Sequence, residues 1–123
     1  MSERSAGEIA VAWLANTDQT FWAVEELMCM CDEQPERAWP VVRKLAELAT
    51  SEEDFGKIGA GPLEDLLAKH GVIFIERIER AAKSDASFKR CLSHTWQNAM
   101  PQDIWARVCL ATGREPSNPW GYR

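Results

Sequence analysis

Hydrophobic side chains along this chain recur at intervals of three and four residues, the spacing that places them on one face of an α-helix. The clearest stripe consists of Ala38, Val41, Val42, Leu45, Leu48 and Ala49. A second stripe, Leu63, Leu66, Leu67 and His70, ends directly before Gly71. Strand-like alternation between turn residues is hard to find. The sequence therefore predicts an all-α protein.

Breaks in the pattern divide the chain into about eight short helices, near residues 5–15, 18–31, 35–49, 51–58, 62–70, 72–83, 85–96 and 102–112. Asp32 is the expected cap of the third helix, and Pro40 predicts a bend there or a start delayed to about residue 38. Short helices with short connections pack as antiparallel hairpins. We expect a HEAT-like α-solenoid fragment or a compact bundle, and we favour the curved stack.

The segment Gly59-Ala60-Gly61 is typical of a turn, and Pro62 suits the first turn of the helix that follows. A phosphate-binding loop is disfavoured, because Glu64 and Asp65 would repel an anion and no Lys, Ser or Thr has P-loop spacing. A structural turn predicts that replacing Gly61 by Val lowers stability. Gly71 is expected to end the fifth helix as a C′ glycine.

The length of 123 residues, with 46% apolar and 27% charged residues, indicates one globular domain. We assign residues 1–113 to this domain and 114–123 to a tail, in which Trp120 and Tyr122 either dock a partner or seal the last hairpin. The apolar run at residues 9–15 is too short for a signal peptide, and no run approaches the roughly 20 residues of a membrane span. We expect a cytoplasmic protein with no membrane association.

Charge is distributed unevenly along the chain. The net charge is −5, with −8 on residues 1–56 (four basic against twelve acidic) and +3 on residues 57–123 (ten basic against seven acidic). In a stack of hairpins this layout predicts an acidic end and a mildly basic end. The net charge argues against a protein that coats nucleic acid or anionic membranes. Glu76 with Arg80, and Glu79 with Lys83, have the i, i+4 spacing of ion pairs.

Residues with catalytic or metal-binding chemistry are few. His70 and His94 are the only histidines, and no nucleophile elbow is present. Cys91 and His94 lie three residues apart, but further zinc ligands are not evident. All four cysteines, Cys29, Cys31, Cys91 and Cys109, fall in apolar helical patterns, so we expect free thiols in a core. We predict no catalytic residue, no metal and no cofactor.

Three segments carry a family resemblance: Pro35-Glu36-Arg37-Ala38-Trp39, the stretch 58–67 (IGAGPLEDLL) with His70-Gly71, and Trp96-Gln97-Asn98 before Met100-Pro101. In these segments the chain resembles a bacterial family of small helical domains of unknown function, over about residues 21–108. The resemblance implies a bacterial source and a helical fold, and it implies no reaction, ligand or site residue.

The leading hypothesis is a non-enzymatic, cytosolic protein-binding module, such as an immunity or inhibitor protein that occludes a basic bacterial toxin or phage-conflict partner. The predicted docking residues combine acids that steer with an aromatic anchor: Glu25, Glu26, Asp32, Glu33, Glu36, Arg37, Trp39 and Arg43. One alternative is a small enzyme or ligand-binding domain with a pocket near His94, Trp96, Asn98 and the Gly59–Gly61 turn. A third hypothesis is nucleic-acid binding through Lys83, Lys89, Arg90 and Arg107, which the sparse basic patch and the lack of a helix-turn-helix signature disfavour.

Overall fold

The computed structural model describes residues 4–115, and within them it contains seven α-helices, one 3₁₀ turn, one π-helical turn and no β-strand. The elements are α1 (Ala6–Ala15), the 3₁₀ turn (Asp18–Thr20), α2 (Phe21–Glu33), α3 (Pro35–Leu48), α4 (Glu52–Ile58), the π turn (Gly59–Leu63), α5 (Glu64–Ser84), α6 (Ala86–Leu92) and α7 (Gln102–Thr112). The predicted all-α class is confirmed. Among the described residues, no helix has both the length and the apolar character needed to cross a bilayer.

Polar side chains set several helix starts. The Ser5 hydroxyl accepts from the Glu8 amide at 3.1 Å, and the Glu8 carboxylate accepts from the Ser5 amide at 3.1 Å. Ser51 and Asp85 cap α4 and α6 by accepting from the amides of Asp54 (3.1 Å) and Phe88 (3.2 Å). The prediction for Asp32 is wrong. This residue lies in the last turn of α2, and Gln34 occupies the N-cap position of α3.

Helix α3 starts at Pro35 and runs without a break through Pro40, so the predicted delayed start is wrong. Pro35 occupies the first turn, where its missing N–H breaks no helical hydrogen bond. Pro40 lies on the exposed side of α3, where water can bond the carbonyl group that loses its partner. The opposite side buries Ala38, Val41, Val42, Leu45 and Ala46.

The predicted turn at Gly59–Gly61 is also wrong, because these residues form a π-helical turn between α4 and α5. The backbone of Gly59 is helical (φ −65°, ψ −45°). Pro62 has no N–H to donate, which favours a local widening of the helix. The carbonyl oxygen of Pro62 accepts a hydrogen bond from the buried Cys31 thiol at 3.5 Å, which joins the π turn to α2.

The fifth and sixth predicted helices form one helix, α5, with a kink at His70 (φ −136°, ψ 28°). The Nε2–H of His70 donates to the carbonyl of Asp32 at 2.8 Å, which joins the kink to the end of α2. Gly71 does not end the helix. A Cβ at this position would lie 3.0 Å from Ile104, so the glycine lets α7 approach α5.

The seventh helix, α6, ends at Leu92 rather than near Trp96. Beyond it, Thr95 is buried in a loop and Trp96 is 51% exposed. Arg114 ends this helix from outside, because its guanidinium donates to the carbonyls of Leu92 (3.2 Å) and Thr95 (3.1 Å). Arg114 therefore packs against the domain that we predicted to end at residue 113.

The short helix α6 lies at the centre of the fold. It packs against α3, α4, α5, α7 and the π turn, while α1 packs on α2 and α3. Phe88, Cys91 and Leu92 of α6 are fully buried in a core to which all seven helices contribute. In a solenoid each hairpin contacts only its neighbours. These contacts agree with the compact bundle, the other arrangement that the sequence predicted.

Ion pairs join the acidic first half of the chain to the basic second half. Asp32 pairs with Lys69 at 3.7 Å, and Glu36 pairs with Arg77 at 2.8 and 2.9 Å. Glu52 pairs with Arg90 and with His94. These pairs neutralise part of the charge of each half, since a bundle brings together segments that are distant in sequence.

Gly59 offers a test of the central packing. A Cβ at this position would overlap the carbonyl oxygen of Cys91 and lie 2.9 Å from Cβ of His94, whereas a Cβ at Gly61 meets nothing within 4 Å. We expect Gly59→Ala to lower the free energy of unfolding by about 1–3 kcal/mol, because α6 must move away. Gly61→Ala should leave stability unchanged or slightly higher, because Ala favours helix by about 0.5–1 kcal/mol.

Urea unfolding of both variants measures this difference. Equal stabilities would contradict the close approach of the π turn to α6. The same open space at Gly61 removes the reason for the earlier expectation that Gly61→Val is destabilising.

Candidate protein-binding surface

The predicted docking acids lie on or next to helix α2. Ala23, Leu27, Met30 and Cys31 face the core, so the opposite side of α2 faces water. We call this side the α2 outer face, and it comprises Phe21, Glu25, Met28, Cys29, Asp32 and Glu33. Their spacing of three and four residues aligns them along one ridge of about 18 Å. Phe21 and Met28 are each 54% exposed, which is high for large apolar side chains.

Three of the five predicted acids are already engaged within the molecule. Glu26 pairs with Arg4 at 3.4 Å, and Asp32 and Glu36 form the pairs with Lys69 and Arg77 described above. Glu25 and Glu33 are exposed and form no ion pair with any other side chain among residues 4–115. The charge that this surface offers to a partner is therefore concentrated at Glu25 and Glu33.

The Glu36–Arg77 pair is the best-formed contact between the acidic and basic halves. Both guanidinium Nη groups donate to the two carboxylate oxygens, which is the bidentate geometry that Arg favours. This hydrogen bonding lowers the pKa of Glu36 and raises the pKa of Arg77. The pair joins the start of α3 to the middle of α5.

Trp39 and Arg43 lie side by side, but both side chains are already packed against other residues of the protein. The Trp39 ring is 5.8 Å from the rings of both Phe74 and Phe88, and it is only half-exposed. The Arg43 guanidinium lies 5.7 Å from the Trp39 ring, and its Nε is buried without a hydrogen-bond partner among the described residues. The neighbouring Arg37 donates to the side chain of Gln34. The sequence overestimated Trp39 as an exposed anchor, and it missed Phe21 and Met28.

The alternative site is a hydrogen-bonded loop between α6 and α7. The Glu64 carboxylate, only 9% exposed, accepts from the Trp96 amide at 2.7 Å and from the Asn98 side chain. Asn98 has a positive φ of 42°, a conformation that Asn tolerates better than most residues. His94 Nε2 lies 3.2 Å from the Glu52 carboxylate. The structure thus brings His94, Trp96 and Asn98 onto one hydrogen-bonded loop.

No local sequence pattern predicts the contacts of Glu64. Its position in the first turn of a helix suits the helix dipole, which accounts for a carboxylate there without any distant partner. The residue instead connects two of the segments that carry the family resemblance, 58–67 and 96–101. Only the tertiary fold brings these segments together.

Three of the four thiols are buried, and the described residues include no cluster suited to a metal ion. Cys31, Cys91 and Cys109 are buried free thiols, as predicted, whereas Cys29 is exposed and in that respect the prediction is wrong. Burial raises the pKa of both Cys31 and Cys91 to about 12, and it also raises the pKa of Cys109. Between residues 4 and 115, no three His, Cys, Asp or Glu side chains come close enough to hold a metal ion.

The basic residues of the third hypothesis separate into two places. Lys83, Lys89 and Arg107 line one groove between α5 and α7. Arg90 lies elsewhere, with its guanidinium 4.7 Å from the Phe55 ring and paired with Glu52. The predicted tail residues Trp120 and Tyr122 lie outside the described residues.

Comparison with known proteins supports the resemblance. Residues 12–115 match the model of a family of unknown function, which confirms the resemblance that the three segments indicated. No curated protein and no solved structure matches the chain.

The lowered pKa of Glu36 predicts a pH-dependent contribution to stability. A carboxyl group whose pKa is lower in the folded state stabilises the fold above its ordinary pKa of about 4.3 and loses that effect as the pH falls through the folded-state value. We expect Glu36→Gln to be less stable than the unchanged protein at neutral pH, with the difference vanishing in acid. Thermal melts across this range measure it.

Glu47→Gln is the control for this prediction, because among residues 4–115 the Glu47 carboxylate pairs with Lys44 alone, at 3.4 Å. A stability difference for Glu36→Gln that does not change with pH would show that the Arg77 contact is not responsible.

Glu64 supports a second prediction. In Glu64→Gln the amide –NH₂ group faces one of the two donors, so we expect a loss of about 1–3 kcal/mol in unfolding free energy. Hydrogen exchange at the Trp96 amide should become faster. The neighbouring Asp65→Asn is the matched control, and similar exchange at Trp96 in both variants would exclude the role given to Glu64.

Proposed function

The chain belongs to DUF6869, a family of unknown function, and we propose that it is a non-enzymatic protein-binding module that docks through the α2 outer face. The observation that carries this proposal is the combination of two exposed apolar side chains, Phe21 and Met28, with the exposed carboxylate of Glu25 on one helical ridge. Aromatic residues and Met are enriched in protein interfaces.

The two kinds of side chain have different roles in this proposal. Phe21 and Met28 supply apolar area that a partner can bury, and Phe21 continues into a cleft of about 320 Å³ lined by Trp13 and Val24. Glu25 and Glu33 carry charge that is not neutralised within residues 4–115. Such charge accelerates encounter with a basic surface and suppresses encounter with acidic ones.

The partner of this surface is a basic protein, and the mode of action is occlusion of that partner's functional surface. This chemistry is that of an immunity or inhibitor protein acting in the cytoplasm against a bacterial toxin or a phage-conflict protein. Net negative charge concentrated in the first half of the chain supports this assignment. The family membership adds no partner to it.

Charge reversal tests the proposal. The protein and its Glu25→Lys/Glu33→Lys variant are immobilised, used to capture partners from a bacterial lysate, and the captured protein is then titrated. We expect a basic partner whose affinity falls by about tenfold or more on charge reversal, mainly through slower association. Phe21→Ser/Met28→Ser should instead accelerate dissociation, because it removes buried apolar area.

The matched control is Glu47→Lys/Glu53→Lys, which reverses two exposed carboxylates on α3 and α4. It should keep the partner. A partner retained by Glu25→Lys/Glu33→Lys, or lost equally in the control, would reject the α2 outer face as the docking surface.

A further inference from the structure

A groove of about 1030 Å³ lies between the second half of α5, the start of α6 and α7. It shares no residue with the α2 outer face. Its charged wall carries Arg80, Lys83 and Lys89, and its apolar part includes Ala82, Leu110 and Ala111. This is a basic, partly apolar concavity on a protein whose net charge is −5.

The cations of the groove remain available because the expected helical ion pairs do not form. Glu79 turns to α7, where it accepts from Nε of Arg107 at 2.9 Å, so it does not pair with Lys83. This contact neutralises Arg107 and connects α5 to α7. Arg80, Lys83 and Lys89 are exposed and form no ion pair with another side chain in the described part of the chain.

The apolar part of the groove is unusually open to water. Leu110 is 75% exposed, although it stands on α7 between core residues Val108 and Cys109 and the half-buried Ala111. One exposed Leu on a helix is ordinary. Here it stands in a concavity beside three cations that lack carboxylate partners. The groove therefore offers apolar contact and positive charge within one site.

We propose that this groove binds an acidic amphipathic segment of a partner protein, with carboxylates facing Arg80, Lys83 and Lys89 and an apolar side chain covering Leu110. Such a segment matches both the charge and the apolar contact that the groove presents. The site is separate from the α2 outer face and opposite in charge. The protein then has two docking surfaces, of which the second takes an acidic partner.

A polypeptide fits this groove better than a nucleic acid does. Glu76 and Glu79 line the same groove, so part of its wall repels phosphate groups. The apolar part has no use in binding a phosphate backbone, and the described residues that line the groove include no exposed aromatic ring on which a base can stack.

The test uses a fluorescently labelled, designed helical peptide with Glu on one face and Leu on the other. Two comparison probes are used. One is the same peptide with every Glu replaced by Lys, and the other is a single-stranded oligonucleotide with the same net charge as the acidic peptide. Anisotropy titrations are made with the full chain and with Lys83→Glu/Lys89→Glu. We expect the acidic peptide to bind the unchanged protein with an affinity that falls as salt is added. Lys83→Glu/Lys89→Glu should lower this affinity by about tenfold or more.

Two further variants make the result specific to this groove. Lys44→Glu/Lys57→Glu reverses two lysines outside it, on α3 and α4, and should bind the acidic peptide as the unchanged protein does. Leu110→Ser should lower the affinity for the acidic peptide several-fold while leaving the salt dependence of that affinity unchanged. Leu110 is exposed, and circular dichroism melts check that all variants fold.

Several results would overturn the proposal. They are no detectable binding of the acidic peptide, an equal loss of affinity in Lys83→Glu/Lys89→Glu and Lys44→Glu/Lys57→Glu, or tighter binding of the basic peptide or the oligonucleotide than of the acidic peptide. Sedimentation of the chain alone tests whether a second copy occupies the groove. If the chain self-associates and Lys83→Glu/Lys89→Glu abolishes this association, the occupant of the groove is the α2 outer face of another copy rather than a segment of a partner protein. The peptide and oligonucleotide titrations do not bear on the capture experiment at Glu25 and Glu33.

Discussion

The fold depends on enclosing one short helix. With seven residues, α6 is too short to be stable alone in water, because helix nucleation costs more than so few hydrogen bonds return. It is helical because α3, α4, α5, α7 and the π turn surround it. The two ends of α6 are then closed by polar groups, Asp85 at the start and Arg114 at the end.

This constraint explains why glycine is needed in the π turn. The backbone at Gly59 passes the last turn of α6 at a distance that leaves no room for a side chain. His94, two residues beyond the end of α6, then reaches Glu52 on α4. The close backbone approach thus holds the loop after α6 beside α4, where this hydrogen bond forms.

Local patterns predicted the helices well and their junctions poorly. The stripe from Ala38 to Ala49 depends on residues close in sequence and was confirmed. The caps at Ser51 and Asp85 are equally local. The junctions at Gly59–Gly61, His70 and Trp96 depend on partners about 30 to 40 residues away, such as Cys91, Asp32 and Glu64. Periodicity carries no information about those partners. Four of the five predicted docking acids lie on α2 and Glu36 lies on α3, and tertiary contacts decide which of the five stay unpaired.

The burial of three thiols leaves the chain with one reactive cysteine. Thiolate is the nucleophilic form, and Cys31 and Cys91, with pKa values near 12, hold almost none of it at neutral pH. Cys109 is fully buried, whereas Cys29 is exposed on the α2 outer face. A maleimide dye added to the native protein will therefore attach at a single position. Placed beside Met28, that dye becomes an optical reporter of whatever covers the helix, with no engineered residue required.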